Sequence, residues 1–190
     1  MKATSASGGG PHGERELIER AKRYEPEVLR EIYERFSPGI YRYIYFRTND
    51  RELAEDLRAE VFLRMLDGLD RFDYRGWSIS AWLYRIAHDR VIDHFRGQER
   101  HQMMPLEESL VDSAPDPGET LLSTLAHEEL REALQQLTEE QQQVILLRFV
   151  EDLSVREVAQ ITRRTEGAIK ALQYRGLRSL LRILSPGEVV

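Results

Sequence analysis

From Glu14 onward the apolar residues recur every three or four positions, and almost no stretch alternates with the period of two that a half-buried strand requires. That pattern predicts an all-α chain. Helices are expected over about 14–24, 26–47, 51–66 and 80–96, and again over about 120–136, 138–149, 154–161 and 165–184. Local chemistry supports these starts: Pro26 suits a first helical turn, Asn49 and Asp50 can cap the third helix, and Ser78 or Ser80 can cap the fourth. Thr138 with Gln141, and Ser154 with Glu157, have the spacing of a capping box, in which each partner satisfies an orphan backbone N–H.

Between the two sets of helices, residues 97–119 (GQERHQMMPLEESLVDSAPDPGE) hold Pro105, Pro115, Pro117 and Gly118 and keep no amphipathic period. This predicts a flexible linker. The organisation that follows is a disordered Ser/Gly-rich tail over 1–13, a helical domain over 14–96, the linker over 97–119, a second helical domain over 120–184 and a tail over 185–190. A chain of 190 residues can bury one ordinary core or two small ones, so two modules are admissible.

Charge sharpens this division. The net charge is -6, yet residues 1–96 are balanced, 97–153 carry 3 basic against 13 acidic side chains, and 154–182 carry 7 against 2. A basic contact surface near the C-terminus, with an acidic middle able to shield it, is the expectation. Cysteine is absent, which excludes a disulfide framework, a thiolate metal cluster and a thiol nucleophile. No apolar run approaches the roughly 20 residues that span a bilayer, and the opening MKATSASGGGPHG lacks the apolar centre of a signal peptide. A soluble, cytoplasmic protein without membrane insertion is expected.

Two stretches carry candidate chemistry in the first module. AHDRVIDHFR places Arg85, Asp89, Asp93 and Arg96 on one helical stripe, the spacing of an ion-pair ladder. His88 and His94 are six apart and diverge by about 120°, so they cannot close on one metal without ligands from another element. A solvated polar face is favoured over a metal enzyme, no cofactor is expected, and a polar face touching DNA depends on context. The loop RFDYRGWSIS combines Phe72, Tyr74 and Trp77 with Arg71 and Arg75.

That context lies at the C-terminus. SVREVAQITRRTEGAIKALQYRGLRSLLR has a short capped helix, a tight connection around 162–164 and a second helix opening at Thr165, the layout of a helix-turn-helix. Val155, Val158, Ala159, Ile161, Ala168, Ile169 and Leu172 would form the inner faces. Arg163, Arg164, Glu166, Lys170, Gln173, Tyr174 and Arg175 are left outward, types suited to phosphate anchoring and base-edge hydrogen bonding.

With these residues in place, the chain resembles the extracytoplasmic-function (ECF) group of bacterial RNA polymerase sigma factors over about 26–184. One block is LREIYERFSPGIYRYIYFRTNDRELAEDLRAEVFLRML with SAWLYRIAHDRVIDHFR, similar to the family's second domain. The other is ALQQLTEEQQQVILLRFVEDLSVREVAQITRRTEGAIKALQYRGLRSL, similar to its fourth. The resemblance implies a non-enzymatic promoter-specificity subunit whose partners are promoter DNA and core polymerase, through the beta-prime clamp and beta flap, with an anti-sigma factor as a further candidate. It assigns Asp56, Leu57, Glu60, Val61, Phe62 and Arg64 to polymerase docking. Tyr74, Arg75, Trp77, Ser78, Trp82, Arg85, Asp89 and Arg96 fall to melting and reading the minus-ten element, where an unstacked base needs an aromatic partner and its phosphates need cations. Arg163, Arg164, Thr165, Glu166, Lys170, Ala171, Tyr174 and Arg175 fall to the minus-thirty-five duplex. Two positions depart from the family, Ala59 where Gln is frequent and Asp89 where Asn is frequent; a carboxylate cannot donate the amide's hydrogen bonds and repels phosphate. The alternative is a helix-turn-helix regulator with an N-terminal sensing or dimerising domain.

Overall fold

The computed structural model describes residues 11–73, 77–101 and 129–185. Within them every regular element is helical: α1 (Pro11–Ala21), α2 (Pro26–Thr48), α3 (Arg51–Gly68) with a 3-10 turn (Leu69–Arg71), α4 (Ile79–His101), α5 (129–135), α6 (Glu139–Ile145), α7 (Val155–Thr162) and α8 (Glu166–Leu184). The predicted tail over 1–10, Tyr74, Arg75, most of the linker, the start of the fifth helix and residues 186–190 lie outside the described residues.

The first module is a bundle of α2, α3 and α4 with α1 laid on α2. Each helix buries one stripe: Val28, Ile32, Ile40, Tyr43 and Ile44 from α2, Ala54, Leu57, Val61, Phe62 and Met65 from α3, and Ile79, Leu83, Tyr84, Ala87 and Val91 from α4. Asp50 caps α3 by accepting from Leu53 N–H at 3.0 Å, while Asn49 takes the left-handed conformation (φ 56°) that ends α2. Ser78 Oγ accepts from Ala81 N–H at 3.1 Å and so caps α4, whose Ile79 N–H also reaches the Glu14 carboxylate at 2.7 Å.

Both outer boundaries of the first module differ from expectation. α1 starts at Pro11, inside the stretch assigned to the tail, because a proline in the first turn forfeits no hydrogen bond. α4 runs to His101, five residues into the stretch assigned to the linker, since GQERH holds nothing that breaks a helix outright.

The second module pairs α6 and α7 with α8. Thr138 caps α6 through its hydroxyl, and Ser154 with Glu157 forms the full capping box on α7. α6 relaxes after Ile145 into a π turn (Leu146–Val150) rather than continuing as α-helix to 149. α8 closes on α6 at Gly176, where a Cβ would meet Ile145 Cγ1 at 2.9 Å. The modules are not separate bodies, because α4 packs along α7 and the C-terminal half of α2 meets α6 and its π turn. Among the described residues no helix is long and apolar enough to cross a membrane.

Candidate nucleic-acid interface

The helix-turn-helix forms as its local chemistry dictates. Arg163 ends α7 in the left-handed conformation (φ 55°), and Thr165 caps α8 by accepting from Ala168 N–H at 3.2 Å, so the turn sits one residue later than expected. Val158, Ala159 and Ile161 face Ile169 and Leu172 in the interior, with Val155 and Ala168 half-buried. Outward, Glu166, Lys170, Ala171, Tyr174 and Arg175 share one exposed face of α8, and Arg163, Arg164 and Thr165 are exposed at the turn. Arg164 pairs with Glu140 of α6, and Arg163 comes within 3.9 Å of Asp89 on α4. Gln173 departs from its predicted outward position: it accepts from Arg148 Nε at 3.3 Å, inside the module.

The aromatic loop and α4 build a cavity of about 690 Å³. Phe72 and Trp82 stack with ring centroids 4.2 Å apart and planes at 22°, and the wall includes Trp77 and Ile86, the cations of Arg64, Arg71, Arg85 and Arg90, and the carboxylates of Asp73 and Asp89. Gln160 and Arg163 of the second module close its rim. A neighbouring cavity of about 360 Å³ holds Arg85, His88, Asp93 and Arg96. Guanidinium groups around stacked aromatic rings can take a base on a π face and its phosphate on a cation.

The expected ion-pair ladder forms in part. Arg85 Nε donates to Asp89 at 2.9 Å, but Asp93 takes Arg90, which also reaches Glu60 of α3 at 3.3 Å, so the chain of pairs leaves Arg96 and turns toward the neighbouring helix. Only the N-terminal end of this face is covered: Arg85 keeps 12 % exposure because α7 lies over it, and its guanidinium donates to the carbonyls of Gln160 and Ile161 at 3.0 and 2.6 Å, whereas the Asp89 and Asp93 side chains and Arg96 remain largely in solvent. His88 is tucked under Gln143, whose Nε2 lies 2.6 Å from Nδ1, an amide donor that a neutral ring accepts. Burial pushes the His88 pKa down to about 4; Asp89 opposes this, and Arg47, Arg85 and Arg164 reinforce it.

On α3 the six docking candidates separate. Asp56 and Arg64 are exposed and Glu60 half-exposed, whereas Leu57, Val61 and Phe62 are buried, with Phe62 against Tyr33 at 4.7 Å. The latter three hold the helix in its bundle rather than offer a surface. Leu63, 62 % exposed, sits among the charged candidates and escaped notice because an apolar residue in an amphipathic helix is normally assigned to the core.

The pairing of two modules has counterparts among known proteins. Residues 32–101 match the family model for sigma-70 region 2, and residues 127–180 match that for sigma-70, region 4. The chain is similar to the ECF RNA polymerase sigma factor BldN of Streptomyces coelicolor, 39% identical over 171 residues, covering 89% of this chain and 65% of that relative's length. It is also similar to the ECF RNA polymerase sigma factor SigX of Bacillus subtilis, 32% identical over 160 residues, covering 81% of this chain and 82% of the relative. Two solved structures share the fold. CnrH in complex with the cytosolic domain of CnrY aligns with TM-score 0.71 at 17% identity, over 92% of this chain and 99% of that one. The sigma factor RpoE in complex with the anti-sigma factor NepR from Bartonella quintana aligns with TM-score 0.69 at 20% identity, over 84% and 98%.

Proposed function

The chain belongs to the ECF group of RNA polymerase sigma factors, and we propose that it directs core polymerase to promoters by reading the minus-thirty-five element as duplex through α8 and opening the minus-ten element at the cavity of the first module. The exposed row of Glu166, Lys170, Ala171, Tyr174 and Arg175 carries this reading, since it sets cations and hydrogen-bonding groups along one face of a capped helix. Lys170 and Arg175 anchor or read the groove, while the neutral Ala171 lets the helix approach the bases.

At the minus-ten element the Phe72–Trp82 stack supplies the apolar floor for an unstacked base, and Arg64, Arg71 and Arg90 supply cations at its rim. Asp89 is already paired with Arg85. Its charge is partly spent there, which eases the repulsion that a free carboxylate at this position would bring to phosphate. Docking to polymerase falls to the exposed part of α3, Asp56, Glu60 and Arg64 together with Leu63. An anti-sigma factor as partner is consistent with the complex of RpoE with the anti-sigma factor NepR, which shares the fold. A regulator with a sensing N-terminal domain leaves the region 2 match over 32–101 unused.

Run-off transcription with purified core polymerase on a randomised promoter library tests the reading. The parent should start transcription from a shared two-element sequence, and Lys170→Ala and Arg175→Ala should each reduce it. An Arg that pairs with guanine loses about 1–3 kcal/mol of discrimination between sequences, whereas a phosphate contact weakens all sequences alike. Start sites unchanged in both variants overturn the assignment of α8.

A further inference from the structure

The loop that carries Phe72 and Trp77 leaves the end of α3 and enters the start of α4. Each of those helix ends has backbone groups that the helix itself cannot satisfy, carbonyls at the end of α3 and N–H groups at the start of α4. One group at each end is satisfied from the same remote element. Glu14, in the first turn of α1, accepts from the Ile79 N–H at 2.7 Å. Tyr24, three residues past the end of α1, donates its hydroxyl to the Leu66 carbonyl at 3.3 Å, with the Asp70 carboxylate 3.5 Å away. The N-terminal helix therefore touches both stems of the loop, one from each of its ends.

The rest of α1 is built to hold that span. Leu17, Ile18 and Ala21 are buried where α1 lies on α2. The joint between the two helices is fixed by an ion triad, in which Glu25, the residue before the first turn of α2, takes Arg20 at 2.7 Å and Arg23 at 2.8 Å. Tyr24 stands at φ 55°, a left-handed conformation that a large side chain keeps only where its surroundings hold it there. Its ring is 46 % exposed, so burial does not account for that conformation; the contact with the end of α3 does.

The two stems in turn set the aromatic wall of the cavity. Gly68, two residues after Leu66, lets Trp82 lie against α3, since a Cβ there would fall 3.0 Å from the indole. Phe72 ends the 3-10 turn and stacks on Trp82. On the other stem, Trp77 precedes by two residues the N–H that Glu14 holds. That bond, with the Ser78 cap on Ala81, fixes the first turn of α4 and so the direction from which Trp77 enters the wall. Neither Glu14 nor Tyr24 lines the cavity, and α1 lies ahead of residues 32–101, the stretch that matches region 2.

We propose that α1 is a brace for the strand-reading loop, in which Glu14 and Tyr24 are positioning residues that keep Trp77 and the Phe72–Trp82 stack preformed for an unstacked base. The role of that wall rests on the function proposed above; the brace itself rests on the contacts of Glu14 with Ile79 and of Tyr24 with the end of α3. A preformed wall spares the cost of ordering the loop when the base arrives. The brace therefore acts on promoter opening and not on the first encounter with duplex.

The test uses the full chain with core polymerase on a promoter taken from the library selection. Glu14→Ala removes the acceptor, Glu14→Gln keeps an oxygen for the Ile79 N–H, and Tyr24→Phe removes the hydroxyl alone. Opening is followed by a fluorescent purine in the minus-ten element as holoenzyme is raised, so that half-saturation reports duplex capture and the limiting rate reports opening. Glu14→Ala and Tyr24→Phe should lower the limiting rate about threefold to tenfold while half-saturation stays within about twofold of the parent, and Glu14→Gln should regain most of the rate. In the free chain, amide hydrogen exchange over 77–83 should quicken by a similar factor in Glu14→Ala and stay unchanged over α8. Parent-like limiting rates in Glu14→Ala and Tyr24→Phe overturn the brace, as does a joint fall of rate and capture with exchange rising throughout the chain. Glu14→Gln as slow as Glu14→Ala overturns the Ile79 bond as the link. Failure of the parent to start transcription counts against the functional reading alone, because exchange needs neither polymerase nor DNA, and unchanged exchange over 77–83 in Glu14→Ala overturns the brace by itself.

Discussion

Replacing His88 with Gln should remove most of the chain's loss of stability between about pH 7.5 and pH 5. The ring is buried between α4 and α6, beside an amide that donates to it, and its pKa is about 4 against 6.5 in water. A group whose folded pKa is depressed in this way stays neutral while the unfolded chain takes up a proton. Stability is therefore full above about pH 6.5, falls as the pH drops from there toward about 4, and is constant below both values. At about pH 5 the unfolded ring is protonated about thirtyfold over its neutral form and the folded ring scarcely at all, which amounts to about 2 kcal/mol. The groups that face the ring agree with this sign: Arg47 from α2, Arg85 from α4 and Arg164 from the turn before α8 resist a new cation, and Asp89 alone favours it. Glu25 and Glu157, whose carboxyls are held low, lose their contribution only below the ordinary glutamate range of about 4.3, so the higher window belongs to His88. The linkage is the same whether the ring reaches water by unfolding or by separation of α4 from α6. Urea titrations followed by the fluorescence of Trp77 and Trp82, at about pH 7.5 and 5, give the difference for parent and His88→Gln. Equal losses in the two proteins refute the reasoning.

Other substitutions probe the remaining links. Ser154→Ala removes one half of the capping box on α7 and should cost about 1 kcal/mol in a thermal melt. Gly176→Ala places a methyl against Ile145, where overpacking of about 1–3 kcal/mol outweighs the helix preference of about 1 kcal/mol gained, so the melting temperature should fall. Asp56→Ala should weaken core polymerase binding with the melting temperature unchanged, because the side chain is exposed, whereas Phe62→Ala should cost about 3–5 kcal/mol of stability before any question of binding arises.

Much of the fold was legible because each helix declares its own buried face. The spacing of Ala54, Leu57, Val61 and Met65, or of Val158 and Ile161, points to one side of a cylinder whatever lies opposite. Caps were legible for the same reason: Asp50, Ser78, Thr138 and Ser154 act on backbone groups three residues away. The docking helix was legible as an element but not as a surface. Leu57 and Leu63 are the same residue type on one helix, and only the packing of α2 and α4 decides that the first is covered and the second is not.

What could not be read is the contact between modules, and the reason is physical. Within a bundle the signal is the hydrophobic period, which needs no knowledge of the partner. At the seam the burial is of Arg47, Arg85, His88, Gln142, Gln143 and Glu151, residues that any pattern argument assigns to water. Each becomes buried only because a group distant in sequence satisfies it: Arg42 and Tyr84 for Glu151, the end of α7 for Arg85, Gln143 for His88. A carboxylate or guanidinium buried without such partners would cost several kcal/mol, so the same six residues would be solvated if the modules stood apart. His88 and Asp89 of HDRVIDH therefore have no fixed meaning in one dimension. Their role as seam, and the depressed pKa of His88 that reports it, exists only while α4 lies along the second module.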